Sequence, residues 1–152
     1  MIDAIVLDTN LLILLVVGLT NEKYISSHKS LSAFSVEDFR LLRTSLEETK
    51  SLIVTPNTLT ETSNLLRYIK EPAKSEIHGV FDAFVRKSRE VYVKSNEACL
   101  RQEFVRLGLT DNAILEVAKN DVLILSADLD LCIAAEIAQY KVVNFNHLRD
   151  RD

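Results

Sequence analysis

Four acidic residues of this 152-residue chain lie where predicted strands end and helices begin. They are Asp8 in LDTN, Glu61 in TLTETSNLL, Asp111 in LTDNAIL and Asp128 in ILSADLDL. If folding brings these carboxylates together, their repulsion in a partly dry site is costly unless a divalent cation lies among them. Mg²⁺ prefers oxygen ligands, and a bound ion activates water for attack on phosphorus. The four acids therefore predict a metal-dependent phosphodiesterase site.

Each acid taken alone has a simpler explanation. Aspartates at helix starts commonly cap the helix and complement its dipole, which covers Asp8, Asp111 and Asp128. Glu61 alone fits an exposed helical acid. Asp130 competes with Asp128 for the fourth position, and the closeness of Asp128 to the strand end favours Asp128. It is the ordered set, including a second-turn glutamate with no capping role, that favours a site.

The composition predicts one globular domain over residues 1–152. Hydrophobic residues make up 47% of the chain and charged residues 26%, and the few glycines and prolines form no linker. The net charge of −4 is unlike that of most nucleic-acid binders. One third of the chain is locally rich in cations, which most simply cover solvated helix faces: Arg67, Lys70, Lys74, Arg86, Lys87, Arg89 and Lys94.

The cysteines, the histidines and one apolar run bear on the compartment and on other metal sites. Cys99 and Cys132 lie among apolar neighbours in predicted helices, so we expect buried, reduced thiols and a cytoplasmic protein. The apolar run at residues 11–19 is about half the ~20 residues that a membrane span needs, so we expect neither a membrane span nor a signal peptide. The three histidines lack zinc-site spacing, so we expect ordinary surface or loop histidines.

Strand and helix patterns alternate along the chain. Strands are predicted at residues 4–7, 52–54, 91–93, 122–125 and 141–144, the third being the weakest. Helices are predicted from residue 11 to 19, then at 36–50, 56–69, 76–88, 96–107, 110–120 and 128–140, with Thr110 as the N-cap of the helix that contains Asp111. Residues 20–35 are expected to form a loop with a short helix. Such alternation predicts an α/β fold with a central parallel sheet of four or five strands flanked by helices.

This architecture places the four acids at one edge of the sheet. Ligands of open parallel sheets bind beyond the carboxyl ends of the strands, where connecting loops and helix N-termini meet. Each acid also precedes apolar residues at helical spacing, so its side chain is expected to point toward the sheet edge.

With these motifs in order, the sequence resembles the PIN-domain nucleases over nearly its whole length. The matching segments are a strand running into Asp8-Thr9-Asn10, a helix with Glu61 after the second strand, a helix start at Thr110-Asp111-Asn112, and a strand ending in Ser126-Ala127-Asp128. The resemblance implies an Mg²⁺- or Mn²⁺-dependent endoribonuclease with Asp8, Glu61, Asp111 and Asp128 as its catalytic and metal-binding residues. It further implies supporting roles for Asn10, Ser126 and Asn146, the last delivered by the final strand.

Small proteins of this kind also resemble VapC-like toxins of toxin–antitoxin pairs. That resemblance implies an RNA substrate, an inhibitory antitoxin protein and a homodimer. Residues 18–51 form a longer segment than in the smallest toxins, which bears on the toxin assignment more than on the nuclease assignment. The RNA target, RNA against DNA, and one metal against two stay open.

Other functions compete with the nuclease hypothesis. A haloacid-dehalogenase-like phosphatase needs a second aspartate two residues after the first, where this chain has Asn10. A receiver domain needs paired early acids and a late lysine after a strand, which the sequence lacks. The main alternative is a catalytically inactive PIN-like module that binds RNA or protein and keeps the acids only as helix caps.

Overall fold

The computed structural model describes residues 2–149, which fold around a five-stranded parallel β-sheet. The strands are β1 (Ile2–Leu7), β2 (Thr49–Val54), β3 (Arg89–Glu90), β4 (Leu123–Ser126) and β5 (Val142–Asn144). Their order across the sheet is β3-β2-β1-β4-β5, and all four pairings are parallel. The predicted α/β fold with a helix-flanked parallel sheet is therefore confirmed, with five strands.

Helices connect the strands, because parallel neighbours cannot be joined by tight turns. They are α1 (Thr9–Thr20), α2 (Val36–Leu46), α3 (Pro56–Leu66), α4 (Ala73–Lys87), α5 (Ser95–Ala98), α6 (Phe104–Leu107), α7 (Leu109–Ala118), α8 (Leu129–Ile137) and α9 (Phe145–Arg149). Two 3₁₀ helices, Glu22–Ser27 and Lys29–Leu31, lie between α1 and α2.

The sheet separates two hydrophobic cores. Along β1, Ile5 and Leu7 belong to the core that contains α1, while Val6 between them belongs to the core that contains α7 and α8. This alternation follows from the pleat, which sends successive side chains to opposite faces. Because both faces are covered there, the last residues of β1 (Ile5, Val6 and Leu7) and of β2 (Ile53 and Val54) are apolar and buried beneath the loops that follow them.

Helix α1 is enclosed on all sides, with every residue at positions 11–18 buried. The apolar run that resembled a short membrane segment is therefore a core helix, packed against α2, α3 and α4. Within residues 2–149, none of the helices combines the length and apolar character needed to cross a bilayer.

The ends of several elements differ from prediction because strand pairing decides them. Helix α2 ends at Leu46 rather than at residue 50, since Thr49 already pairs with Ile2. Strand β3 occupies residues 89–90 rather than 91–93, because Arg89 and Glu90 are the residues in register with β2. The chain then leaves the sheet after one more bond, from the Val91 N–H to the Val54 carbonyl (2.9 Å).

The single helix predicted at residues 96–107 is wrong. Two one-turn helices, α5 and α6, replace it, and the turns between them are fixed by side-chain contacts. The Asn112 amide donates to the Ala98 carbonyl (2.9 Å), and the Arg101 guanidinium donates to Glu103 (2.9 Å) and to the Tyr140 hydroxyl (3.2 Å). These bonds hold the segment in a non-helical path.

One single-residue expectation also needs correction. Cys132 is buried as predicted, but Cys99 is exposed, because the helix expected to bury it ends at residue 98. His28 lies in the loop between the two 3₁₀ helices, as the prediction allows, but it is buried there, and its Nδ1 accepts from the Ser30 N–H (3.1 Å). Nδ1 is therefore unprotonated, and Nε2–H donates to the Leu66 carbonyl (3.0 Å).

Candidate functional site

The strand order creates a crevice between the ends of β1 and β4. From β1 the chain adds β2 and β3 on one side, then returns to place β4 on the other side of β1. The connections after β1 and β4 therefore diverge, which is where open α/β sheets bind ligands. Asp8 directly follows β1, and Asp128 lies two residues past the end of β4.

All four acids line one cavity of about 370 Å³ at this carboxyl edge. Thr9, Asn10 and Thr110 contribute further polar groups to its wall, and the start of α7 forms one side. Residues from positions 8, 61, 111 and 128 thus meet, as the sequence predicts. What each side chain does in the cavity follows from its own contacts.

Asp8 is buried and held by three hydrogen bonds. Its Oδ1 accepts from the Leu11 N–H (3.0 Å), which caps α1, and its Oδ2 accepts from the Ala127 N–H (3.0 Å) and the Ser126 hydroxyl. Burial raises the pKa of Asp8, and this effect outweighs the lowering by the three donors. Asp8 therefore joins the loops after β1 and β4 and is fixed in orientation.

Glu61 lies on the second turn of α3 and is held by two threonine hydroxyls. Thr110 donates to its Oε1 (2.7 Å) and Thr9 donates to its Oε2 (3.1 Å). These bonds connect α3 to the starts of α1 and α7. The side chain is exposed to the cavity yet keeps a defined position, unlike an ordinary solvated helical acid.

Asp128 is the N-cap of α8. Its Oδ1 accepts from the N–H groups of Asp130 (2.9 Å) and Leu131 (3.2 Å), so its carboxylate also complements the helix dipole. Asp130 does not line the cavity, and its charge raises the pKa of Asp111 less than the charge of Asp128 does. This geometry favours Asp128 as the fourth acid.

Asp111 differs from the other aspartates because it caps no helix. Helix α7 begins after Gly108, whose φ of 86° suits glycine, and no side chain among the described residues 2–149 caps its first N–H groups. The predicted N-cap role of Thr110 is therefore wrong, since its hydroxyl goes to Glu61. Partial burial, then the charges of Asp128, Asp8, Glu61 and Asp130, raise the pKa of Asp111 to about 7.

The three residues predicted to support the site, Asn10, Ser126 and Asn146, make different contacts. Ser126 is buried, donates to Asp8 and accepts from the Asp128 N–H (2.9 Å), so it links two of the acids. Asn10 lines the cavity from the first turn of α1. Asn146 lies in α9, two residues past the end of β5, and its amide donates to the Ala127 carbonyl (3.0 Å), next to Asp128 in the chain.

Thr9 and Thr110 were missed as functional residues. Both lie beside a predicted acid, and both hold the carboxylate of a third segment, Glu61. Their place in the DTN and LTDN motifs was visible in the sequence. Which acid each hydroxyl would contact depends on the order of strands, and local patterns do not reveal it.

The donor set fits a hard divalent cation. Carboxylate, amide and hydroxyl oxygens line the cavity, and Mg²⁺ and Mn²⁺ prefer such ligands to the sulfur and imidazole sites of zinc. Over residues 2–149, no three His, Cys, Asp or Glu side chains are grouped so that they could hold a metal ion. The carboxylates of Asp8, Glu61 and Asp128 accept from N–H and O–H groups in this arrangement. The raised pKa of Asp111 shows that further positive charge in the cavity would relieve repulsion.

Comparison of the chain with models of known protein families gave no match. Comparison with curated proteins gave none either. The resemblance to PIN-domain nucleases therefore rests on the ordered motifs and stays a prediction.

Proposed function

We propose that this protein is a PIN-like, Mg²⁺- or Mn²⁺-dependent endoribonuclease that hydrolyses phosphodiester bonds at the four-carboxylate cavity. The observation that carries the proposal is Asp111. Asp111 is half-buried among three other carboxylates, and its pKa is raised to about 7. It caps no helix, so no capping bond offsets the free energy that its ionised form costs there. Ionised groups of one sign are gathered in this way where a cation binds.

The chain's own residues would hold and orient the ion. Asp8 and Asp111 would be the main ligands, with Glu61 and Asp128 completing the shell directly or through water. A bound divalent cation supplies charge neutralisation and lowers the pKa of water near the phosphate. Ser126 bonds to the Asp8 carboxylate and to the Asp128 N–H, and Thr9 and Thr110 bond to the Glu61 carboxylate, so these contacts would help to orient the acids around the ion.

A phosphate substrate is supported by the start of α7. Gly108, Leu109 and Thr110 line the cavity, and the first N–H groups of this ten-residue helix receive no side-chain cap. Such N–H groups and the positive end of the helix dipole favour anions. The preference for RNA over DNA comes from the family resemblance.

The test is Mn²⁺-dependent cleavage of a labelled RNA by the wild-type protein, Asp111→Asn and the control Asp3→Asn. Asp3 is an exposed acid at the opposite edge of the sheet, paired with Lys50 (3.3 Å). We expect cleavage by the wild type and the control and a loss of at least about 100-fold in Asp111→Asn. Equal cleavage by all three would contradict the proposal, and no cleavage by the wild type would favour the inactive binding module.

A homodimer, and with it the toxin assignment, is supported by an apolar stripe on α8. Leu129, Ile133 and Ile137 follow one another at helical spacing, and all three are exposed. Solvent-facing apolar stripes of this kind mark protein contacts. Light scattering should give a dimer for the wild type and a monomer for Ile137→Asp; a wild-type monomer would contradict the dimer.

A further inference from the structure

A second cavity, of about 600 Å³, lies between the first 3₁₀ helix and the loop that joins α3 to α4. Two tyrosine side chains, Tyr24 and Tyr68, line it together with the apolar side chains of Ile69 and Pro72. Most of its lining is apolar. It shares no lining residue with the acid cavity.

Hydrogen bonds hold the walls of this cavity. The Tyr24 hydroxyl donates to Glu76 (2.9 Å), and this bond is the main cause of a raised Tyr24 pKa. The Lys29 N–H donates to the Tyr68 carbonyl (3.4 Å), and the buried His28 ring bonds to Leu66. The two aromatic walls are therefore anchored in different segments that are tied together.

Two lysines, Lys29 and Lys70, and one acid, Glu71, line the rim of the cavity. The Glu71 carboxylate accepts from the Ser75 N–H (2.7 Å) and hydroxyl (2.6 Å). The charged residues of the rim therefore have a small excess of positive charge, in a chain whose net charge is −4.

The end of α3 and the turn after it line the two cavities in succession. Glu61 and Leu65 of α3 line the acid cavity, and Tyr68 lines the second one. Tyr68 lies in the turn just after α3, which ends at Leu66, and its N–H donates to the Leu65 carbonyl (3.3 Å). At 1.5 Å per helical residue, Leu65 lies roughly 6 Å along the axis from Glu61. A strand that left the acids toward the C-terminal end of α3 would therefore pass near Tyr68.

We propose that this cavity binds a base of a single-stranded RNA whose backbone runs along α3 into the acid site. An aromatic ring accepts any base by stacking, and lysines on the rim suit the flanking phosphates. The choice of an RNA strand rests on the proposed ribonuclease function. The lining of the cavity indicates the kind of ligand: the tyrosines suit a planar ring, and the lysines suit an anion next to it.

Binding of a short fluorescein-labelled oligoadenylate, measured by anisotropy in EDTA, tests this without cleavage. We expect Tyr68→Ala to weaken binding about tenfold and Tyr68→Phe to bind like the wild type, because the phenyl ring still stacks. Lys70→Ala should lower the slope of log affinity against log salt by about 0.7. The matched control is Tyr92→Ala, which removes a tyrosine that is 78% exposed elsewhere and should change nothing.

Several results would overturn the proposal. These are no RNA binding by the wild type, equal binding by the wild type and Tyr68→Ala, or an equal loss in Tyr92→Ala. Displacement of the RNA by equimolar AMP would show a mononucleotide site instead of a strand site. Tyr68-dependent binding without Mn²⁺-dependent cleavage would remove the nuclease function alone, whereas cleavage with Tyr68-independent binding would remove this inference alone.

Discussion

Folding raises the free energy of the ionised Asp111 side chain. In the unfolded chain its carboxyl has an ordinary pKa of 3.8, whereas burial and neighbouring acids raise the pKa to about 7 in the folded chain. The folded state therefore binds this proton more tightly, and the contribution of Asp111 to wild-type stability falls as the pH rises from about 4 to about 7. Above pH 7 the full cost of the ionised group remains.

We therefore predict that Asp111→Asn is more stable than the wild type at pH 8 without divalent ions. The gain should be about 2 kcal/mol after allowance for solvent screening, and it should shrink at pH 5, where the wild-type carboxyl is protonated. Urea unfolding at both pH values in EDTA measures it. A variant less stable than the wild type at pH 8 would show that Asp111 makes favourable contacts instead.

The Ser126 hydroxyl, unlike the ionised Asp111 carboxylate, should stabilise the folded state. It is buried, donates to the Asp8 carboxylate and accepts from the Asp128 N–H, so Ser126→Ala leaves both groups short of a partner. We expect a loss of about 1–3 kcal/mol in the free energy of unfolding. The control Ser45→Ala removes only a bond to the Leu41 carbonyl within α2 and should cost less than about 1 kcal/mol. Equal losses would mean that Ser126 does not order the site.

At the scale of single residues, the sequence reveals charge better than burial. The four acids and Ser126 could be predicted, because strand ends and helix starts locate them. Cys99 was placed wrongly and the burial of His28 was not foreseen, since their surroundings depend on where a helix stops or which loop packs nearby. Asn146, two residues beyond the final strand, donates its amide to the Ala127 carbonyl, a contact that the sequence does not reveal.

Among the elements, α1 most directly ties packing to function, because it begins at Asp8 and passes through the core. Its Gly18 lies against the ring of the buried Phe39 from α2, and a Cβ built on Gly18 would overlap that ring. Position 18 therefore needs glycine, because α1 and α2 approach too closely here for a side chain. Such contacts fix the position of the helix that carries Asp8, Thr9 and Asn10.

Gly18→Ala should therefore destabilise the fold by about 1–3 kcal/mol, as overpacking does. The matched variant Gly79→Ala lies in α4, where a Cβ meets open space, and should be neutral or more stable by up to about 1 kcal/mol. Thermal unfolding of the two variants beside the wild type separates steric overlap from helix propensity. A stabilised Gly18→Ala would refute the packing account.

The helix prediction failed where apolar residues at helical spacing are exposed instead of buried. Residues 96–107 have helical spacing, yet Leu100 is 83% exposed and Val105 is 98% exposed, so no core holds a continuous helix there. Polar contacts of Arg101 and Asn112 decide the path instead. The long helices were predicted correctly because their apolar faces do reach one of the two cores.

For the whole molecule, strand order is the property that local patterns do not contain. The sequence indicates alternating strands and helices, but the return of β4 to the free side of β1 is what brings Asp8 and Asp128 together. Four segments far apart in the chain then share one cavity. An ion bound there would hold only the folded state, so ion binding and stability are linked.

Mn²⁺ should accordingly raise the thermal midpoint of the wild type. At a concentration about 100 times Kd the gain is about 2.7 kcal/mol, or roughly 5–10 °C for a domain of this size. Asp111→Asn, which lacks one ligand, should gain much less, and Ca²⁺-free buffer with EDTA gives the baseline. Equal midpoints with and without Mn²⁺ in the wild type would argue against an ion at the acids.

The anomalous scattering of Mn²⁺ in a crystal of the wild-type protein tests most directly whether the four acids bind a cation, because it locates the ion independently of any assay. We expect a peak in the cavity at the ends of β1 and β4, within ligand distance of Asp8 or Asp111. A Mn²⁺-loaded crystal with no peak among Asp8, Glu61, Asp111 and Asp128, or with peaks only elsewhere, would contradict it.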